Sequence, residues 1–211
     1  SAQVVNHNNR LYLIDCGEGT QFQLQRYRQR LRRLDAIFIS HLHGDHLLGL
    51  PGLLNSLSLN GRRDALTLVG PSGLKRYLRL QFEVLGVRLS YALDIREIHP
   101  PVPAEPVFAT AALEVTALPL QHRVPTYGYR FRETPHRPAF LAEQARELGV
   151  PPPYFRLLKQ GNAVRLPDGR DILPEAVLGE RPPQRCYAYC SDTAYAEALV
   201  PYLRGCDLLY H

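Results

Sequence analysis

The 211-residue sequence contains no methionine and no tryptophan. A chain without methionine cannot begin at its own initiator, so a segment upstream of Ser1 is expected. Only four cysteines are present, Cys16, Cys186, Cys190 and Cys206, too few and too widely spaced for a disulfide framework. Cys186 and Cys190 lie inside a strand-like stretch and not in a metal-binding knuckle, which leaves buried thiols in a reducing cytoplasm as the expectation. No apolar run approaches the roughly 18 residues that cross a bilayer, and no basic-then-apolar leader opens the chain. Internal repeats and low-complexity tracts are also missing. A membrane span, a secreted disulfide scaffold and a solenoid are thereby set aside, and a soluble cytoplasmic protein is expected.

What is present suits one globular domain. Hydrophobic residues make up 45% of the chain, enough for a sizeable core at this length and too little for a second full domain. The net charge of +5 and the pI of about 9.1 lean towards an acidic partner without requiring one. Arg26, Arg28, Arg30, Arg32 and Arg33 crowd one short stretch. At helical spacing they scatter around the axis, and a solvated helix end fits them as well as a phosphate contact.

Strand and helix alternate along the first half, which predicts an α/β layered fold. Arg10 to Asp15 reads as a strand broken by Gly17 and Gly19, with a helix from Thr20 to Arg33 after it. Further strands are expected at Ala36 to Ser40 and Leu66 to Gly70, each leading to a helix, the second opening at Pro71, Ser72 and Gly73. The middle turns β-rich, with candidate strands at Arg88 to Tyr91, Ile95 to His99, Leu113 to Leu118 and Tyr127 to Arg132. Residues 133 to 184 hold nine of the 18 prolines, one short helix from Leu141 to Leu148 closed by Gly149, and a hairpin around Pro167, Asp168 and Gly169. A projecting insertion and a packed lid both fit that segment. The core resumes at Cys186 to Cys190, and Cys206 to Tyr210 reads as a strand that delivers His211 to a strand end.

The chemistry concentrates at residues 40 to 46, Ser-His-Leu-His-Gly-Asp-His, just past the strand-like Ala36 to Ser40. Three imidazoles and a carboxylate are costly as ordinary core, because each needs its own partner, whereas a pair of divalent metals satisfies them together. His41 and His43 are two apart, so their rings lean the same way in an extended segment and suit one metal. Asp45 and His46 lie beyond the turn at Gly44 and suit a second. The bland alternative is a histidine-rich loop with solvated rings, and for one histidine alone it would be preferred. The preceding strand and the apolar segment from Leu47 to Leu59 that follows favour the metal reading for the whole string.

His122 and Asp192 extend this set, since each sits just past the C-terminal end of a strand-like segment, where α/β folds collect functional groups. A carboxylate that bridges two cations roughly 3.5–4 Å apart is a demand of two-metal hydrolysis, and Asp192 suits it. Ser191, Asp192 and Thr193 equally form a common helix N-cap arrangement. His7, His99 and His136 lack neighbours at ligand spacing and read as surface residues.

These residues resemble the ribonuclease Z family, tRNA 3′-end-processing endonucleases of the metallo-β-lactamase superfamily. The likeness rests on Asp-Cys-Gly-Glu-Gly-Thr-Gln from Asp15 to Gln21 and on Ser40 to Gly52 with its Gly-Leu-Pro-Gly ending. It extends through His122 to Tyr129, Leu158-Lys159-x-Gly161, Ser191 to Thr193, and Cys206-Asp207 with His211. The resemblance implies a four-layer αββα sandwich over residues 1 to 211, incomplete at both ends, with an inserted tRNA-binding arm at about 133 to 184. It implies that His41, His43 and His122 hold one zinc, that Asp45 and His46 hold the other, and that Asp192 bridges them, giving two Zn²⁺ per subunit of the complete protein. Asp45 would take the proton of the attacking water and His211 would assist the leaving group.

The implied activity is that of a metal-dependent endoribonuclease acting on precursor tRNA. Cleavage on the 3′ side of the discriminator base would leave a 3′-hydroxyl, in a homodimer whose arm grips the tRNA elbow. Three departures bear on this chain. The family's first strand and glycine-rich turn would precede Ser1, the arm's usual Gly-Pro pair is Pro152-Pro153, and a final zinc-binding histidine is expected beyond His211. The rival readings are a hydrolase of the same fold acting on a small phosphodiester, sulfate ester or thioester, and a catalytically defective tRNA-binding subunit. Arm-dependent tRNA binding separates the first rival from the endonuclease, and zinc stoichiometry separates the second.

Overall fold

Strand β1 (Gln3–His7) and strand β2 (Arg10–Ile14) form an antiparallel hairpin whose two connecting residues, Asn8 and Asn9, have φ of 47° and 65°. Two consecutive left-handed residues make the turn that matches strand twist, and asparagine tolerates that conformation better than most side chains. The computed structural model describes residues 1–103 and 105–211. β1 alternates inward and outward, so His7 shares the inward face with Gln3 and Val5 and is buried, in contrast to the surface position expected for it. His99 is exposed as anticipated, and His136 is half-buried with Nε2 3.2 Å from Glu133.

From β2 onward the sheet grows by parallel addition of β3 (Leu34–Phe38), β4 (Leu66–Pro71) and β5 (Leu93–Ile98), in the order β1-β2-β3-β4-β5. The crossovers carry α1 (Thr20–Arg26), α2 (Gly44–Leu47), α3 (Leu50–Leu59) and α4 (Leu74–Leu85). α3 buries Leu50, Leu53, Leu54 and Leu57, an i, i+3, i+4, i+7 stripe, against the face of the sheet that also carries Leu13, Ile37 and Leu68. α1 stops earlier than Arg33 because Arg28 turns to φ 53°, and Leu31–Arg33 make a single 3₁₀ turn instead. Arg88 to Tyr91, expected as a strand, is irregular, with Tyr91 folded inward to donate to the Leu54 carbonyl at 3.0 Å.

A second sheet begins with β6 (Phe108–Ala109), β7 (Leu113–Leu120) and β8 (Thr126–Glu133). The two sheets face each other across an aromatic core in which Phe38 meets Phe108, Tyr129 and Phe131 at centroid distances of 5.8, 5.2 and 5.3 Å.

Residues Glu133–Arg185 form a compact unit with a core of their own, built on Ala145, Val150, Leu158, Val164, Ile172 and Val177. It contains α5 (Ala142–Glu147) and α6 (Phe155–Lys159), one helix more than the sequence suggests, and a short antiparallel ladder of β9 (Val164–Arg165) with β10 (Asp171–Ile172). α6 is five residues with no periodic stripe long enough to be read locally.

The other unit, Ser1–Arg132 with Cys186–His211, is completed by β11 (Cys186–Tyr189), α7 (Val200–Leu203) and β12 (Leu208–Tyr210). The second sheet then runs β12-β11-β8-β7-β6. Its outer face is covered by Leu199 and Leu203 against Leu118 and Cys190, which makes the fourth layer and gives the αββα sandwich. β12 is an exposed strand of three residues at the sheet edge. The cysteines are less isolated than their spacing suggests, since the Cys186 and Cys206 sulfurs are 3.1 Å apart. Among the described residues no helix is long and apolar enough to cross a membrane.

Candidate metal centre

The polar residues singled out above converge on one end of the two sheets. β3 leads into Ser40 and His41, β7 leads into His122, and β11 leads into Asp192. Two backbone contacts, Tyr127 N to the Ser40 carbonyl and Gln121 with Ala194, tie these strand ends together. Thr193 contributes as well, its hydroxyl accepting from Gln121 N at 3.0 Å. The segment after Asp192 is not an α-helix, so the N-cap alternative for Ser191 to Thr193 does not hold in this fold. Asp192 instead takes φ 54°, and its Oδ2 lies 3.0 Å from His46 Nε2 and accepts from the Ser191 hydroxyl at 2.8 Å.

Two donor groups result. His41, His43 and His122 offer ligand atoms that all lie within 4.8 Å of one another, and so do His41, His46 and Asp192. His122 Nε2 stands 3.4 Å from His43 Nδ1, and the His41 ring is 4.2 Å from the His46 ring. Asp45, 70% exposed at its side chain, reaches His46 Nε2 at 3.0 Å. His211 follows β12, whose Tyr210 carbonyl accepts from Cys190 N, so it leaves the sheet at the same end as Asp192.

The donor chemistry fits a cation. Imidazole must be neutral to ligate, and burial together with the neighbouring His46 pushes His41 down to about 4. Burial is the largest influence on His46 and opposes its charge, but the Asp15 hydrogen bond together with the charges of Asp15, Asp45 and Asp192 outweighs it and raises that group. Asp192 is held below the ordinary carboxylate range. Burial acts against this, while the Ser191 hydroxyl and His46 prevail.

Asp15 is the structural hub, a role the sequence reading does not assign to it. Its fully buried carboxylate accepts from Ser40 N at 2.7 Å on one oxygen, and from Ser40 Oγ, His46 Nδ1 and Tyr189 OH at 2.9, 2.7 and 2.8 Å on the other. A carboxylate on Nδ1 sets the imidazole's orientation and leaves Nε2 facing Asp45 and Asp192. The sequence signal is an acid directly after the run Leu11 to Ile14, and the structure adds a left-handed φ of 58° at that strand end.

The Asp-Cys-Gly-Glu-Gly block and the Gly-Leu-Pro-Gly block acquire a physical meaning here. A Cβ on Gly17 would meet the Asp45 carbonyl oxygen at 2.1 Å, and one on Gly49 would meet the Gly17 carbonyl oxygen at 2.0 Å. The two loops touch backbone to backbone, with Cys16 N donating to the His46 carbonyl and Gly49 N to the Cys16 carbonyl. That contact locks the loop carrying Asp45 and His46 against Asp15.

A family model described as a β-lactamase superfamily domain matches residues 10–146. A curated ribonuclease Z from a Synechococcus species is 43% identical over 203 residues, which cover 95% of this chain and 64% of that protein. One from Parabacteroides distasonis is 40% identical over 214 residues, covering 100% of this chain and 69% of its own length. Among solved structures, the short form of human tRNase Z is 33% identical with a TM-score of 0.56, covering 62% of this chain and 57% of that one. The chain thus spans about 64% of the length of the first of these relatives.

Proposed function

This chain belongs to the ribonuclease Z family of the β-lactamase superfamily, and from that premise we propose that its protein is a zinc-dependent endoribonuclease acting on precursor tRNA. Cleavage falls on the 3′ side of the discriminator base and leaves a 3′-hydroxyl. The observation that carries the reading is the pair of donor groups sharing His41 at the strand ends.

His41, His43 and His122 would hold one zinc, and Asp45 and His46 the other, with Asp192 between them. When bound, the ions supply Lewis-acid charge that acidifies water and offsets negative charge on the reacting phosphate. The rest is done by side chains of this chain. Asp45, open to solvent beside His46, accepts the proton of the attacking water. His211 gives a proton to the departing 3′-oxygen, and Asp15 keeps His46 oriented throughout. Residues 133 to 184 serve as the arm that grips tRNA, with Arg156 and Lys159 exposed on α6 and available to phosphates. The reading extends to a cytoplasmic homodimer in which one subunit's arm presents tRNA to the other.

The test is cleavage of a 3′-extended precursor tRNA by the full-length protein, abolished by a chelator and restored by zinc. A protein that hydrolyses small diesters or thioesters and leaves every precursor tRNA intact would overturn it. Deleting residues 136 to 180 should leave hydrolysis of bis-p-nitrophenyl phosphate unchanged while kcat/KM for precursor tRNA falls about tenfold or more, because the arm supplies affinity and not chemistry. Parental processing by the deletion variant would remove the arm from the proposal.

Metal content gives a separate check. On this assignment His41, His43, His122 and Asp192 give one site four ligands, whereas the other has only Asp45, His46 and the shared Asp192, so one site should be tighter. After dialysis of the 211-residue chain against a mild chelator, metal analysis should find closer to one zinc than two. Two equally retained zincs would show the ligand assignment to be wrong.

A further inference from the structure

Cys186 and Cys206 lie away from the metal centre, at the other end of the strands that lead into it. β11 and β12 run parallel with Tyr187 opposite Leu208, and the ladder extends one step back through Asp207 N to the Cys186 carbonyl at 2.8 Å. Cys186 N in turn donates to Asp207 Oδ2 at 2.7 Å. This double tie holds Cys186 beside the turn that enters β12 and leaves the two sulfurs 3.1 Å apart. A covalent bond needs them to close by about 1 Å, within the reach of side-chain rotation. Cys16, Cys186 and Cys190 are buried, whereas Cys206 is only half-buried and open to a small reagent.

We propose that Cys186 and Cys206 form a reversible disulfide site, oxidised by low-molecular-weight disulfides, that staples the strand leading to Asp192 to the strand leading to His211. The Cys206 thiolate attacks one sulfur of glutathione disulfide, whose S–S bond breaks and releases one glutathione thiolate. The Cys186 thiolate then attacks the Cys206 sulfur of the mixed disulfide and expels the second. Two protein thiols lose two electrons, one glutathione disulfide gains them, and the two protons pass to the released thiols. Burial and the adjacent Cys186 push the Cys206 thiol up to about 12, against the pull of Arg130 and Arg132 on β8, so exchange quickens as pH rises.

The consequence follows from where β12 sits. It is three residues long and pairs with β11 through residues 187 to 189, so a cross-link where it enters the ladder restrains its fraying and steadies His211 beyond it.

The experiment holds the full chain in glutathione buffers from reduced to oxidised at about pH 8.5 until exchange is complete, since the raised Cys206 thiol makes attack slow. Acid quenching, alkylation and intact mass with peptide mapping follow. Wild-type protein should lose two alkylatable thiols and yield one peptide pair joining positions 186 and 206, reversed by dithiothreitol. Amide exchange across Leu208–Tyr210 should slow by about tenfold on oxidation, and Cys206→Ser should show neither change. Four free thiols in the oxidised buffer, a glutathione adduct that never resolves, or bonds to Cys16 or Cys190 would each overturn the proposal. All three are read on wild-type protein, so the outcome does not depend on a variant folding, nor on whether the protein cleaves tRNA.

Discussion

His43→Ala in the full-length protein is expected to lower precursor tRNA cleavage on the order of a thousandfold or more while tRNA binding stays within a few-fold. His43 is one of three imidazoles in its donor group, and its loss leaves His41 and His122 as an incomplete pair. The His43 ring meets His122 Nε2 at 3.4 Å, whereas the Asp15 carboxylate is held by Ser40, His46 and Tyr189, so the substitution removes a donor and not a support. Binding is expected to survive because the proposed arm, residues 133 to 184, falls within a separate compact unit, Glu133–Arg185. Single-turnover cleavage and filter binding on the same precursor measure the two quantities. Binding that falls in step with cleavage would mean that the donor cluster itself holds the tRNA.

Asp15→Asn should cost about 3 kcal/mol of stability and weaken zinc about 10- to 100-fold. Asparagine accepts the left-handed backbone at φ 58° and the same volume, so neither strain nor a cavity confuses the comparison. If the retained carbonyl faces Ser40 N, the new amide meets three donors, Ser40 Oγ, His46 Nδ1 and Tyr189 OH, all buried. Urea unfolding of metal-free protein and zinc competition with a chromogenic chelator read the two effects. pH supplies a signature. Asp15 raises His46, so the stabilisation from that pair is fully present below the ordinary histidine value near 6.5 and is lost as pH rises through the raised one. The stability gap between the two metal-free proteins should therefore narrow with increasing pH. A variant that unfolds and binds zinc as the parent does would remove Asp15 from the centre.

Among individual elements, those with a local signal were legible in the sequence. The strand before Ser40 shows as a continuous apolar run, α3 as a stripe of leucines, and Gly149 as a stop after α5. β1 has no such signal, although Asn8-Asn9 marks a turn, because its inward residues Gln3, Val5 and His7 are mostly polar and do not stand out from Val4 and Asn6. Arg88 to Tyr91 shows the converse error. Its β-like composition yields to Tyr91 packing beneath α3, a contact with a residue 37 positions away.

By itself the sequence determined which residues are candidate ligands and at which strand ends they fall, because residue type, spacing and strand period are properties of neighbouring residues. His41, His43, Asp45 and His46 needed nothing more, and His122 and Asp192 needed only the ends of their strands. Tertiary structure alone decided that Asp15 meets Tyr189 across 174 positions, that His41 stands in both donor groups, and that Cys186 touches Cys206. Those pairings depend on sheet order and register, which are settled by how two sheets bury a shared core and leave no trace in the spacing of any one segment.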